Sequence, residues 1–183
     1  MTAKRMTRTY EGRMPAQPMI EQGALWIPVE HHIEGVFENV DGVTTITYEQ
    51  AEGALAEETL ALAQQYRTLS EQAERKPHPE DYFAMQAVST LPSDLGEPVE
   101  RSGWQLYTAG EAFYASYNQF EQGQYRMLYY RLTPKTPDIS LDEARGRFER
   151  AIVTHGHKRI ELKEINTRMG RNANELKRRM LQA

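Results

Sequence analysis

The chain has 183 residues, of which 39% are hydrophobic and 26% charged, with a formal net charge of -4 and no cysteine. This composition leaves room for one domain, or for one domain and a small appended one, and it predicts a packed core rather than wholesale disorder. The lack of cysteine excludes disulfides, thiolate catalysis, iron–sulfur clusters and cysteine zinc sites. No window approaches a membrane span and residues 1–10 lack an apolar core, so we expect no secretory signal and a cytoplasmic location.

Charge is distributed unevenly along the chain. Residues 21–100 hold 16 acidic side chains against three basic ones, a net charge of -13, whereas residues 139–183 hold 11 basic side chains against six acidic ones, a net charge of +5. A basic segment suits a polyanion, and an acidic segment repels one. A surface that is charged only for solubility is the alternative explanation of the acidic part.

The first part of the chain predicts an irregular start followed by strands. Residues 1–23 are rich in proline and glycine and have little periodicity, so we expect a basic arm or an irregular lead-in there. Alternating apolar and β-branched residues predict three strands, at residues 24–29, 33–40 and 43–48. Asp41-Gly42 predicts a tight turn between the last two strands.

A long helix and a second group of strands come next. Thr47 and Gln50 have the spacing of a capping box, and the apolar residues that follow predict a helix to about Arg75. We then expect a short helix over residues 80–88 and a connecting loop over residues 91–103. An antiparallel meander with turns at residues 110–111 and 121–123 completes this part, with strands at residues 104–109, 112–118 and 124–133.

The C-terminal residues 140–183 predict three short amphipathic helices. Ser140 caps the first helix, which is expected to end at Gly156. The second runs from about residue 159 to 169, and Gly170 separates it from the third. The expected fold is therefore α+β, a small antiparallel sheet with one long helix, followed by a C-terminal trihelical unit. The expected divisions are an arm at 1–23, an acidic α+β domain at 24–133, a linker at 134–139 and a basic helical domain at 140–183.

This trihelical pattern resembles the helix-turn-helix family of DNA-binding units. The similarity covers residues 141–181, where Met169 precedes the turn glycine Gly170 and Leu176 occupies the apolar position six residues later. The resemblance implies that residues 171–179 form the recognition region. A basic C-terminal helix with no DNA role is the alternative.

Ten side chains of this segment are the expected nucleic-acid contacts. Arginine and asparagine recognise guanine and adenine edges in the major groove, while lysine and arginine hold phosphates. The ten are Lys158, Arg159, Lys163, Arg168, Arg171, Asn172, Asn174, Lys177, Arg178 and Arg179. The first hypothesis is a small DNA-binding regulator of bacterial or mobile-element type. Double-stranded DNA would be its partner, its acidic domain would serve dimerisation or partner binding, and a homodimer is expected because two half-sites multiply affinity.

Two further hypotheses remain. In the second, the protein is an acidic inhibitor that imitates phosphate charge and occupies the basic groove of a nucleic-acid-processing enzyme. The expected contacts to such a basic partner are Glu57, Glu58, Glu71 and Glu74. The third is an enzyme with an unrecognised site, but no catalytic motif is found and we expect no enzyme. The histidine pairs 31–32 and 155/157 lack metal-ligand spacing, so neither a metal nor another cofactor is expected.

Overall fold

A computed structural model describes residues 2–73, 75–109 and 111–183. Within these residues the fold is mostly β, with nine strands in two antiparallel sheets and two α-helices. The strands are β1 (Arg5–Glu11), β2 (Met19–Glu21), β3 (Ala24–Phe37), β4 (Val40–Ala51), β5 (Phe83–Val88), β6 (Val99–Arg101), β7 (Trp104–Ala109), β8 (Ala112–Glu121) and β9 (Gln124–Pro134). The helices are α1 (Ala54–Gln72) and α2 (Leu141–Gln182), and a short 3₁₀ helix (Pro79–Asp81) precedes β5.

The chain divides into two compact units. Unit 1 comprises Met1–Gln72 and Ile160–Ala183, and unit 2 comprises Ala73–Arg159. Unit 1 is thus built from two separate stretches of sequence, and the second stretch is the C-terminal part of α2. These limits do not follow the divisions expected from the sequence. Among the helices described, none combines the length and hydropathy that a membrane crossing requires.

Unit 1 is built on a four-stranded antiparallel sheet in the order β1-β4-β3-β2. Because β1 and β2 lie at opposite edges, residues 12–18 must cross from one edge to the other. The Met14 amide of this crossing segment donates to Thr44 Oγ1 at 3.0 Å, and Thr44 Oγ1 donates to the Gly12 carbonyl at 2.6 Å. Thr44 is fully buried, so these bonds satisfy its hydroxyl inside the protein.

The core of unit 1 lies on the side of the sheet that faces the two helices. Leu25 and Ile27 of β3 are buried, and their alternation is what a strand with one covered face requires. They pack with Ala56 of α1 and with Ala173 and Leu176 of α2. Residues far apart in sequence therefore share one core.

Unit 2 contains a five-stranded antiparallel sheet in the order β5-β9-β8-β7-β6, covered by the first part of α2. Phe83, Phe113, Leu132 and Phe148 are between 1% and 3% exposed and form the centre of its core. Ser140 Oγ accepts the Glu143 amide at 3.1 Å, which confirms Ser140 as the N-cap of α2.

The predicted C-terminal trihelical unit is wrong, because residues 141–182 form one helix of 42 residues. Gly156 and Gly170, the expected breaks, both lie inside α2, and neither has a left-handed φ. A glycine inside a helix costs only about 1 kcal/mol relative to alanine. The apolar spacing of α2 continues in phase past Gly170, from Leu162 and Ile165 to Ala173, so burial of this stripe outweighs that cost.

The rest of the predicted fold class is also wrong, since the chain forms two sheets rather than one small sheet with a long helix. The expected arm contains β1 and β2, and the strands expected at 24–29 and 33–40 are the single strand β3. The turn between β3 and β4 lies at Glu38-Asn39, where Asn39 has a φ of 66°, and not at Asp41-Gly42.

Three boundaries differ as well, and one group of strands is confirmed. Thr47 and Gln50 lie in β4, so α1 begins only at Ala54. The expected helix at 80–88 is mostly strand β5, and the expected loop contains β6. The antiparallel meander of β7, β8 and β9 is confirmed. Of its first turn, Gly110 lies outside the described residues.

Candidate functional site

The ten residues expected to contact nucleic acid all lie on α2, although the structure does not bring them into one site. Lys158 and Arg159 belong to unit 2, and the other eight belong to unit 1. Seven of the ten are exposed, while Lys158, Asn172 and Lys177 are half-buried. Asn172 Nδ2 is buried and has no hydrogen-bond partner among the described residues, so this amide is not presented at the surface.

Three of the predicted cations are engaged by carboxylates of the protein itself. Arg178 Nη2 lies 2.6 Å from Glu175 Oε1, and Arg179 Nε lies 2.9 Å from the same oxygen. Hydrogen bonds from Arg178, and then from Arg179, lower the pKa of Glu175 to about 2. Arg168 Nη2 lies 2.7 Å from Glu58 Oε1 of α1. The predicted recognition region is therefore partly neutralised.

A smaller basic surface remains on the outer face of α2. Lys163, Arg168 and Arg171 line a shallow depression of about 440 Å³ together with Thr167 and Glu164. Lys163 and Arg171 are exposed, and neither forms an ion pair with a described residue. Whether this surface contacts DNA stays a prediction.

The carboxylates expected to face a basic partner lie on α1, apart from Glu74, which is outside the described residues. Glu57 is exposed on the first turn of α1. Glu58 is paired with Arg168, and Glu71 Oε1 lies 3.5 Å from Arg67 Nε one turn earlier. Because two of the three described carboxylates have cationic neighbours, α1 does not present the row of free negative charge that the sequence indicated.

The hairpin formed by β3 and β4 is a stronger candidate for the functional site. β1 ends with Glu11 opposite Val43, so residues 36–41 of this hairpin pair only with one another. All residues from 30 to 41 are exposed. We define residues 33–43 as the β3–β4 tip.

The β3–β4 tip combines exposed apolar side chains with carboxylates. Phe37 is 73% exposed and Val40, directly opposite it in the ladder, is 53% exposed. The other exposed apolar residues of the tip are Ile33, Val36 and Val43. The carboxylates are Glu34, Glu38 and Asp41; Glu34 lies 2.9 Å from His32 Nε2, and Glu38 and Asp41 form no ion pair with a described residue. The tip therefore combines exposed apolar surface with net negative charge.

The base of the hairpin is fixed by the segment that crosses the sheet. The Gly12 amide donates to the Gly42 carbonyl at 2.8 Å, and His31 Nε2 donates to the Met14 carbonyl at 2.8 Å. Gly42 has a φ of 80°, and a Cβ there would collide with the Glu34 carbonyl oxygen. Only glycine fits this position, so the tip projects from an anchored base with a defined backbone.

Sequence reasoning missed this surface because the turn was expected three residues too late, at Asp41-Gly42 instead of Glu38-Asn39. A turn at Asp41-Gly42 leaves Phe37 and Val40 inside a strand, where an apolar residue is expected to face a core. A partial signal was present in Glu34, Glu38 and Asp41, because carboxylates interspersed with the apolar residues of this stretch are rarely buried in a core.

In the part of the chain that the structure describes, no three histidine, aspartate or glutamate side chains are grouped as a metal site requires. No protein-family model matches the chain, and none of the curated proteins and none of the solved structures matches it. The chemistry of the surfaces themselves is thus the basis for a functional conclusion.

Proposed function

We propose that this protein is a protein-binding protein that inserts its β3–β4 tip into an apolar pocket of a basic partner protein. The observation that supports this proposal is the exposure of Phe37 and Val40 beside Glu38 and Asp41, two carboxylates that form no ion pair with a described residue. An apolar cluster at the end of a ribbon contributes nothing to the core of unit 1, and such clusters are typical of interaction sites.

The two kinds of side chain have different roles in such binding. Burial of a phenylalanine side chain contributes about 1.5–3 kcal/mol, so Phe37 is suited to be the anchor. Carboxylates at the rim act mainly on the rate of association and on the choice of partner. Glu38 lies in the turn and Asp41 two residues after it, and both would meet lysine or arginine side chains around the pocket.

The negative charge of the β3–β4 tip favours one specific form of protein binding, which is inhibition of a nucleic-acid-processing enzyme by an acidic protein. Enzymes that act on nucleic acids have basic clefts, and a negatively charged hairpin inserted into such a cleft competes with phosphates. The contacts then come from the β3–β4 tip rather than from Glu57, Glu58 and Glu71 of α1.

The test is affinity capture from a lysate of the source cells with three immobilised proteins. They are the wild type, a tip variant with Phe37→Ser and Val40→Ser, and a control with Phe120→Ser and Tyr125→Ser. The control residues form the apolar pair at the end of the β8–β9 hairpin of unit 2, so both variants remove two exposed apolar side chains from a hairpin end. Circular dichroism should show unchanged folding for both, because all four residues are exposed.

We expect a basic protein to be retained by the wild type and the control and lost by the tip variant. With that partner purified, the tip variant should weaken the equilibrium affinity by about thirtyfold or more, the range of an anchor residue. Replacing Glu34, Glu38 and Asp41 by their amides should slow association and reduce its salt dependence. A set of captured proteins identical for all three baits would refute the proposal.

Contact with DNA by the outer face of α2 is the second candidate, favoured by Lys163 and Arg171, which form no ion pair with a described residue. Here a labelled duplex and a salt-titrated mobility shift are the test. Lys163→Glu with Arg171→Glu should weaken binding and flatten its salt dependence, because phosphate contacts release counterions. Wild-type protein that fails to shift the duplex at low salt would eliminate this candidate.

A further inference from the structure

Unit 2 contains a groove lined by aromatic side chains that is separate from the surfaces described so far. Its volume is about 780 Å³, within the range of ligand sites in proteins. Trp104, which is 6% exposed, forms its floor, and Tyr117 and Tyr130 stand beside it. We propose that this groove binds a proline-rich segment of a partner protein in the polyproline II conformation.

The aromatic rings form one continuous surface. The ring centroid of Trp104 lies 4.9 Å from that of Tyr117 and 5.8 Å from that of Tyr130. Tyr117 is 39% exposed, and Met85 and Leu128 extend the apolar wall. Proline rings pack on surfaces of this kind, and a segment already held in polyproline II loses little conformational entropy when it binds.

The groove also offers hydrogen-bond donors. His78 Nδ1 accepts the Glu80 amide at 3.2 Å, so the proton of the neutral ring is on Nε2. Nε2 has no hydrogen-bond partner among the described residues and remains a donor at the groove. The Gln119 side-chain amide lines the same groove. Because a polyproline II segment makes no internal hydrogen bonds, its carbonyl groups are free to accept from such donors.

The charge of the groove favours a peptide over a nucleic acid. Of the side chains that line it, Lys76 is cationic and Glu80 is anionic, so its formal charge is balanced. A single-stranded nucleic acid could stack its bases on the same rings, but its phosphates need a groove with a clear excess of cations. A largely uncharged segment is the better match.

The test is selection of a random peptide library displayed on phage against the whole protein. The blocking variant is Gln119→Arg, which places a long charged side chain in the groove. Asn118→Arg is the matched control, because adjacent strand residues point to opposite faces and both positions are exposed. Wild type and control should enrich peptides with prolines three residues apart, and the blocking variant should not.

A spectroscopic measurement then locates the bound peptide. The chain has two tryptophans, so Trp26→Phe leaves Trp104 as the sole reporter. The selected peptide should change the Trp104 emission in a saturable way, and Gln119→Arg should raise its dissociation constant by about tenfold or more. Enriched peptides without proline, or equal enrichment on the blocking variant, would overturn the proposal. A shift of Trp104 emission by single-stranded oligothymidine but not by the peptides would assign the groove to nucleobases.

Discussion

Replacing Gly170 by alanine distinguishes a continuous α2 from a helix that is broken at a glycine turn. In the structure Gly170 lies inside α2, its φ is not left-handed, and an added Cβ would have no atom within 4 Å. Alanine is more favourable than glycine inside a helix by about 0.8–1.0 kcal/mol, and no overlap offsets this gain. The free energy of unfolding should therefore rise by about 1 kcal/mol.

Gly123→Ala is the matched control, because a Cβ there also meets nothing within 4 Å but the backbone has a φ of 77°. An L-residue in the left-handed region costs about 1–2 kcal/mol, so this variant should be destabilised. Urea unfolding followed by circular dichroism measures both effects, and the midpoint temperature of Gly170→Ala should rise by about 2–4 °C. Loss of stability in both variants would mean that Gly170 occupies a turn and that α2 is broken there.

Three more predictions concern the core and the ionisable groups. Leu176→Ala should destabilise unit 1 by about 2–5 kcal/mol and remove hydrogen-exchange protection from β3. The control Lys177→Ala should have little effect. Equal effects of the two variants would contradict the core shared by β3 and α2. Burial, followed by the neighbouring Tyr10, raises the pKa of Tyr48 to about 12. The stability that this raised pKa contributes is complete below pH 10 and is lost as the pH rises through about 12. In absorbance titrations, Tyr48→Phe should lack one late-titrating tyrosine that the wild type shows. The pKa of Glu175 is lowered to about 2, so its contribution to the free energy of unfolding is present above pH 4.5 and is lost as the pH falls through about 2. An NMR titration of the Glu175 carboxyl group should show this low pKa.

The elements that the sequence predicted correctly are those in which local signals and packing agree. The meander from β7 to β9 has alternating apolar residues between turn residues, and Gln122 and Gly123 both take left-handed φ values at the second turn. Ser140 with Glu143 marks the start of α2, and Leu162 and Ile165 are buried as the helical spacing predicts.

The errors arose where a local signal competed with long-range packing. Gly156 and Gly170 are typical helix-ending residues, but both lie inside α2, and at Gly170 the buried stripe from Leu162 to Ala173 continues past the glycine. The Asp41-Gly42 pair is a turn signal, yet Asp41 and Val40 are still paired in the β3–β4 ladder, and the turn lies at Glu38-Asn39. The candidate site depends on this register, and no single-residue preference determines it. Ion pairs such as that of Arg168 with Glu58 join residues 110 positions apart, which periodicity cannot reveal.

The division of unit 1 into two stretches determines the order in which the protein can be completed during synthesis. Strands β1 to β4 leave the ribosome first, but Ala173 and Leu176, which close their core, are made only after all of unit 2. Until then Leu25 and Ile27 have only α1 to pack against, while more than 80 further residues are added. During this interval unit 1 is open to aggregation and to chaperones, and a chain that ends before residue 160 would contain unit 2 but only an incomplete unit 1.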